Sequence, residues 1–188
     1  PYFPTDEKVR LIIPNPHDPR FSYSTGKIVS EILLLNASHF EKAVIFRPHN
    51  IYGPNMGYNH VIPELTKKSI SSKNILKIQG NGKNKRSFCY IDDLVQGFNL
   101  IFEKGKNKEI YNIGTSEEIN ILKLAKLINS IIGKKMIIKN SKKNFYNASR
   151  RLPEIKKIKK LGYKPQFSLS EGLSITVNWY KEDYTKSI

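Results

Sequence analysis

Tyr23 and Lys27 stand four residues apart in the run Tyr23-Ser24-Thr25-Gly26-Lys27-Ile28-Val29-Ser30-Glu31. In a helix, residues i and i+4 share a face, so this phenol and this ammonium can address one ligand. A free phenol titrates near ~10 and is a poor base at neutrality. A neighbouring cation favours the phenolate. Lowering such a pKa by about three units takes about 4 kcal/mol of differential stabilisation. A base made this way suits proton abstraction from a carbohydrate hydroxyl whose carbon gives up hydride. Of the ten tyrosines, only Tyr23 has a lysine four positions on. The spacing by itself is also what an ordinary solvated helix produces. Arg47, Arg86 and Arg151 fall inside the motifs taken up below.

The elements that must position these groups follow from apolar spacing and turn residues. Residues 1–22 carry five prolines and read as a loop, with turn chemistry in Asn15-Pro16-His17-Asp18-Pro19. From Tyr23 to about Ser38, Ile28, Ile32 and Leu35 fall on one helical line with Val29 and Leu33 beside it. Ser22 is the expected N-cap. Ala43–Phe46 is a short continuous apolar run, as in a parallel strand covered on both faces. Pro48 and Gly53-Pro54 force a loop. Helices are expected at His60–Ser69, after an Asp92 cap through Ile101, at Ile119–Ile132 opened by Ser116, and at Pro153–Leu161 and Leu169–Tyr180. Strands are expected at Leu76–Ile78, Phe88–Ile91, Ile110–Gly114 and Met136–Ile138. This alternation predicts an α/β fold.

The bulk composition sets limits. With 188 residues, 39% hydrophobic and 26% charged, the chain can bury a core. The single cysteine, Cys89, excludes an internal disulfide and fits a reducing, cytoplasmic setting. No apolar run is long enough to span a bilayer. The net charge of +16 suits a polyanion, yet only six of the 32 basic residues are arginine. Base-reading proteins favour arginine for bidentate contacts, so a lysine-coated surface is the expected reading and no nucleic-acid partner is assigned. His49 and His60 belong to no Cys, His or Asp cluster with metal spacing, and no metal is expected.

Taken in order, the motifs resemble the extended short-chain dehydrogenase/reductase family, in particular its NAD-dependent nucleotide-sugar epimerases and dehydratases. Tyr23–Glu31 resembles Y-x-x-x-K-x-x-x-E, and Arg47–Pro54 resembles R-x-x-N-x-Y-G-P. His60-Val61-Ile62-Pro63 resembles the stretch that wraps the nucleotide. Gly80-Asn81-Gly82 with Arg86–Leu94 resembles G-x-G-x-x-x-R-x-F-x-Y-V-x-D-L, and Tyr111–Gly114 resembles Y-N-I-G. Arg150–Glu154, Leu161–Pro165 and Glu171–Leu173 resemble the C-terminal signature.

The resemblance implies a fold and roles. The fold would be the C-terminal part of a Rossmann-like parallel sheet (residues 1–54 and about 86–114) with a smaller α/β nucleotide-sugar domain (about 55–85 and 115–188). Tyr23 would be the catalytic acid/base, and Lys27 would hold the nicotinamide ribose of NAD. Pro48 would lie near the nicotinamide. Asn50, Arg86 and Arg151 would contact the phosphates of a nucleoside-diphosphate sugar, and Val61 its nucleoside. Other readings stay open: Arg86 in a surface pair with Asp92 or Asp93, Arg151 with Glu154, Asn50 capping a turn. Epimerase, dehydratase and decarboxylase reactions also stay open, as does NADP in place of NAD. A homodimer through the Tyr23 helix is expected. A non-catalytic nucleotide-sugar-binding module and a basic nucleic-acid-binding protein are the alternatives.

The sequence departs from the pattern in places. It contains no glycine-rich dinucleotide turn, the family's catalytic Ser/Thr would fall ahead of Pro1, and it opens without methionine. Gly26 stands where many relatives carry serine, and Glu154 replaces aspartate. The expectation is a C-terminal fragment that is inactive alone.

Overall fold

The computed structural model describes residues 2–13, 15, 17–141 and 149–186; Pro1, Pro14 and Pro16 of the proline-rich start lie outside that set. The elements run α1 (Arg20–Asn36), β1 (Ile45–Pro48), β2 (Ile51–Tyr52), α2 (Val61–Ser71), β3 (Ile75–Gln79), β4 (Lys85–Ser87), β5 (Cys89–Tyr90), α3 (Ile91–Lys104), β6 (Ile110–Ile113), β7 (Glu118–Asn120), α4 (Ile121–Ile132), β8 (Ile137–Ser141), β9 (Arg150–Arg151), α5 (Lys156–Lys159) and α6 (Leu169–Lys186). Three parallel pairs, β1–β6, β2–β5 and β3–β8, carry the Rossmann-like α/β architecture. No helix among the described residues is long and apolar enough to cross a membrane.

Two apolar clusters organise these elements. In one, Leu76 and Ile78 of β3 pack with Ile62 and Leu65 of α2, Leu124 and Ile128 of α4, and Leu173 and Val177 of α6. The other joins Ile101 of α3 and Tyr111 and Ile113 of β6 to Ile155, Ile158 and Tyr163. Gly97 lets α3 approach: a Cβ there would stand 2.9 Å from the Ile113 Cγ2 and 3.2 Å from the Tyr163 ring. The segment after β9 thus returns to cover β6.

Several local expectations change. Ser22 does not cap α1: the helix begins at Arg20, and the Ser22 hydroxyl donates to the Pro19 carbonyl at 2.7 Å. Asp92 sits inside the first turn of α3, whose N-cap is Tyr90. Ser116 opens no helix. Glu118–Asn120 pairs antiparallel with β4, and Asn120 then caps α4 by accepting from the Lys123 N–H at 2.8 Å. Cross-strand pairing overrides the capping pattern there. The helix expected at Pro153–Leu161 shortens to Lys156–Lys159.

The three-stranded sheet β7-β4-β9 had no counterpart in the periodicity. Its members are two or three residues long and exist through non-local pairing. The parallel β4–β9 ladder sets Lys85 opposite Arg150 and Arg86 opposite Arg151. Arg150 turns to Glu118 of β7 and forms a two-point bond at 2.7 and 2.6 Å.

Candidate active site

α1 holds Tyr23 and Lys27 on one side, as their spacing predicts. The Lys27 Nζ lies 5.5 Å from the centre of the Tyr23 ring. Tyr23 is 74% exposed, and Lys27 is exposed as well. With Ser22, Gly26 and Ser30 they line a shallow surface hollow.

A cleft of roughly 340 Å³ lies elsewhere, between α2, β3, β4 and β9. Asn50, Val61, Arg86 and Arg151, all expected to meet substrate, line it together. Tyr23, Lys27 and Pro48 are not among its lining residues. Pro48 closes β1, two residues before Asn50, and pairs with Ile113.

Asn50 adopts φ 46, the left-handed region that asparagine tolerates better than most residues. Two bonds hold it there. Its side-chain N–H donates to the Ser87 carbonyl at 2.8 Å, and its own carbonyl accepts from Cys89 N–H at 3.2 Å. The turn therefore ties the end of β1 to the strands that carry Arg86.

Arg86 is buried, and its guanidinium donates to the Lys85 carbonyl at 2.7 Å. Burial, then the nearby Arg151 charge, holds its pKa below the usual arginine value. Like charges in register across a ladder repel. Asp93 accepts from the Gln166 N–H at 2.7 Å, and Glu154 pairs with Lys156 at 3.2 Å. Glu64 pairs with Lys68 one turn along α2, on another wall of the cleft. Guanidiniums placed this way can bond an anion with several oxygens.

Sequence reasoning named His60 within the nucleotide-wrapping stretch but gave no role to Glu64, Lys68 and Gln79, which also line the cleft. Glu64 and Lys68 stand four apart in a helix, a signal that reads equally as a surface pair. His49 had no assigned role. Its Nε2 lies 3.0 Å from the Asn112 Oδ1, and burial, the largest influence, lowers its pKa.

Comparisons with known proteins give one family. The family model for the NAD dependent epimerase/dehydratase family matches residues 4–114. An Arabidopsis thaliana protein named as a trifunctional UDP-glucose 4,6-dehydratase, 3,5-epimerase and reductase is 30% identical over 169 residues, 88% of this chain and 25% of that protein. The dTDP-D-glucose 4,6-dehydratase of Bos taurus is 31% identical over 182 residues, 90% of this chain and 50% of that protein. The dTDP-glucose 4,6-dehydratase of Streptomyces venezuelae, solved with NAD bound, superposes with a TM-score of 0.78 at 27% identity, covering 87% of this chain and 52% of that one. The chain thus spans between a quarter and about half the length of these relatives.

Proposed function

The chain belongs to the NAD dependent epimerase/dehydratase family, and from that membership we propose that it carries the proton-transfer pair and the diphosphate receptor of an enzyme acting on a nucleoside-diphosphate sugar. The observation that carries the reading is the β4–β9 register, which sets Arg86 beside Arg151 at a cleft also lined by Asn50. Two guanidiniums in that position bind a diphosphate through charge-assisted bonds. Val61, on the α2 wall of the same cleft, meets the nucleoside.

Tyr23 acts as the acid/base on the sugar hydroxyl, with the Lys27 ammonium beside its ring. NAD, when bound, supplies the hydride acceptor for the sugar carbon. The chain's own residues fit it. Tyr23 and Lys27 are exposed side by side on α1, and Lys27 makes no ion pair among the described residues, which leaves hydroxyl and ammonium for a ribose. Pro48 ends β1, which follows α1 and precedes Asn50 in the chain. Dehydration, epimerisation and decarboxylation all begin from such a step, and we place the chain in this group without choosing one. The same reading includes a cytoplasmic setting and a homodimer through α1, whose Val29, Ile32 and Leu33 are 48%, 54% and 67% exposed.

Titration with UDP and dTDP tests the receptor. Each of Arg86→Met and Arg151→Met should weaken binding by about 10- to 100-fold, since a bond to a charged group contributes about 1.5–3 kcal/mol. Unchanged affinity in both variants would overturn the assignment. Turnover of UDP- and dTDP-sugars, in this chain and in any longer polypeptide that contains it, tests the base. Tyr23→Phe should abolish it; a fully active Tyr23→Phe would overturn the base assignment, and no turnover by the unsubstituted polypeptide would favour the binding-module reading.

A further inference from the structure

The helix that carries Tyr23 and Lys27 has little packing to fix it. No residue of α1 whose burial is described is fully buried, and Ile32 and Leu33 face outward. A bidentate ion pair joins it to β1. Arg47 of β1 donates through Nε and one terminal nitrogen to the two carboxylate oxygens of Glu31, at 2.8 and 2.6 Å. The two side chains are 18% and 17% exposed. Glu31 lies one helical turn beyond Lys27.

The other side of this bond is anchored. Arg47 also donates to the Glu7 carbonyl at 3.1 Å. The Glu7 carboxylate accepts from the Asn112 N–H on β6 at 2.9 Å. The Asn112 amide donates to the Thr5 and Glu154 carbonyls at 3.1 and 3.2 Å. Thr5 in turn donates its N–H to the Leu152 carbonyl, next to Arg151, at 2.8 Å. On β1 itself, Arg47 precedes Asn50 by three residues. The pair therefore joins α1 to a frame that also positions two cleft residues.

We propose that the Arg47–Glu31 pair is a positioning device, setting the Tyr23–Lys27 helix against the anion cleft without either residue touching substrate. The proposal rests on the functional reading above. A guanidinium fork specifies orientation in a way a lysine point charge does not, and displacement of a reacting group by an ångström costs about 100-fold in rate.

Three variants test it: Glu31→Gln, Arg47→Lys, and the reversed pair Arg47→Glu with Glu31→Arg. Amide hydrogen exchange of the 188-residue chain is the first readout. Glu31→Gln should speed exchange across 20–36 by about tenfold or more while β1 and β6 stay protected. UDP affinity should stay within about twofold, because the pair lies outside the cleft. In an active polypeptide kcat should fall by about 10- to 100-fold with KM nearly unchanged. Arg47→Lys should fall between, and the reversed pair should recover part of the loss. Unaltered α1 exchange in all three variants would overturn the proposal, as would a loss of UDP affinity in step with activity. If α1 exchange responds as expected while Tyr23→Phe remains active, the base assignment fails and the positioning role stands.

Discussion

Asn50 shows how one residue serves both conformation and contact. Its backbone lies at φ 46 and its amide bridges to Ser87. Alanine there would lose the bridge and strain the backbone, since the left-handed region costs an L-residue about 1–2 kcal/mol. Glycine loses the bridge alone. Urea unfolding should therefore rank wild type above Asn50→Gly and Asn50→Ala last. His49, its neighbour, carries a pH signature. Burial and the Arg47 charge lower its pKa from 6.5, outweighing the Asn112 bond that raises it; Glu7 raises it and Arg151 lowers it. The neutral form is thus favoured in the folded state. Its contribution is present above pH 6.5 and is lost as pH falls from there through the lower folded value. Stability curves should decline as pH falls below 6.5, and His49→Gln should flatten that decline. The common face of Tyr23 and Lys27 was legible because helix spacing is local. The meeting of Arg86 and Arg151 was not, because it depends on a ladder between distant segments.

α2 depends on a residue outside itself. Its last carbonyls have no intrahelical partners. The Lys134 ammonium, just past α4, accepts this role and donates to the carbonyls of Ser69, Ile70 and Ser72 at 2.9, 2.6 and 3.0 Å. Lys134→Met should lower stability by about 1.5–3 kcal/mol. Exchange should rise first in the last turn of α2, which hydrogen-exchange mass spectrometry can locate. α6 is constrained by shape instead. A Cβ on Gly172 would collide with the Tyr52 hydroxyl, so the Glu171-Gly172-Leu173 motif marks a close approach. Long elements such as α3 and α4 announced themselves through periodicity. The two- and three-residue strands around the cleft did not, because they carry too few residues for a period and are made by their partners. Half of what shapes the cleft was therefore invisible to pattern reading, though its arginines were named.

Charge and apolar surface act on the molecule as a whole. The net +16 is distributed mainly as lysine, and the functional reading gives it no nucleic acid to bind. Self-association is expected through α1, where Ile32 and Leu33 are exposed. Light scattering should show a dimer that Ile32→Asp with Leu33→Asp converts to monomer, while UDP affinity in the cleft persists. A monomeric wild type across the micromolar range would count against the helix seam.

The paired guanidiniums have a practical sequel. On the proposed reading their cleft takes multivalent oxyanions in general, and what binds only the native state raises its melting point. Purification in phosphate should yield a sturdier preparation than chloride of matched ionic strength, and the difference should vanish in Arg151→Met. A buffer comparison in a melting assay would then reveal the receptor before any sugar nucleotide had been tried.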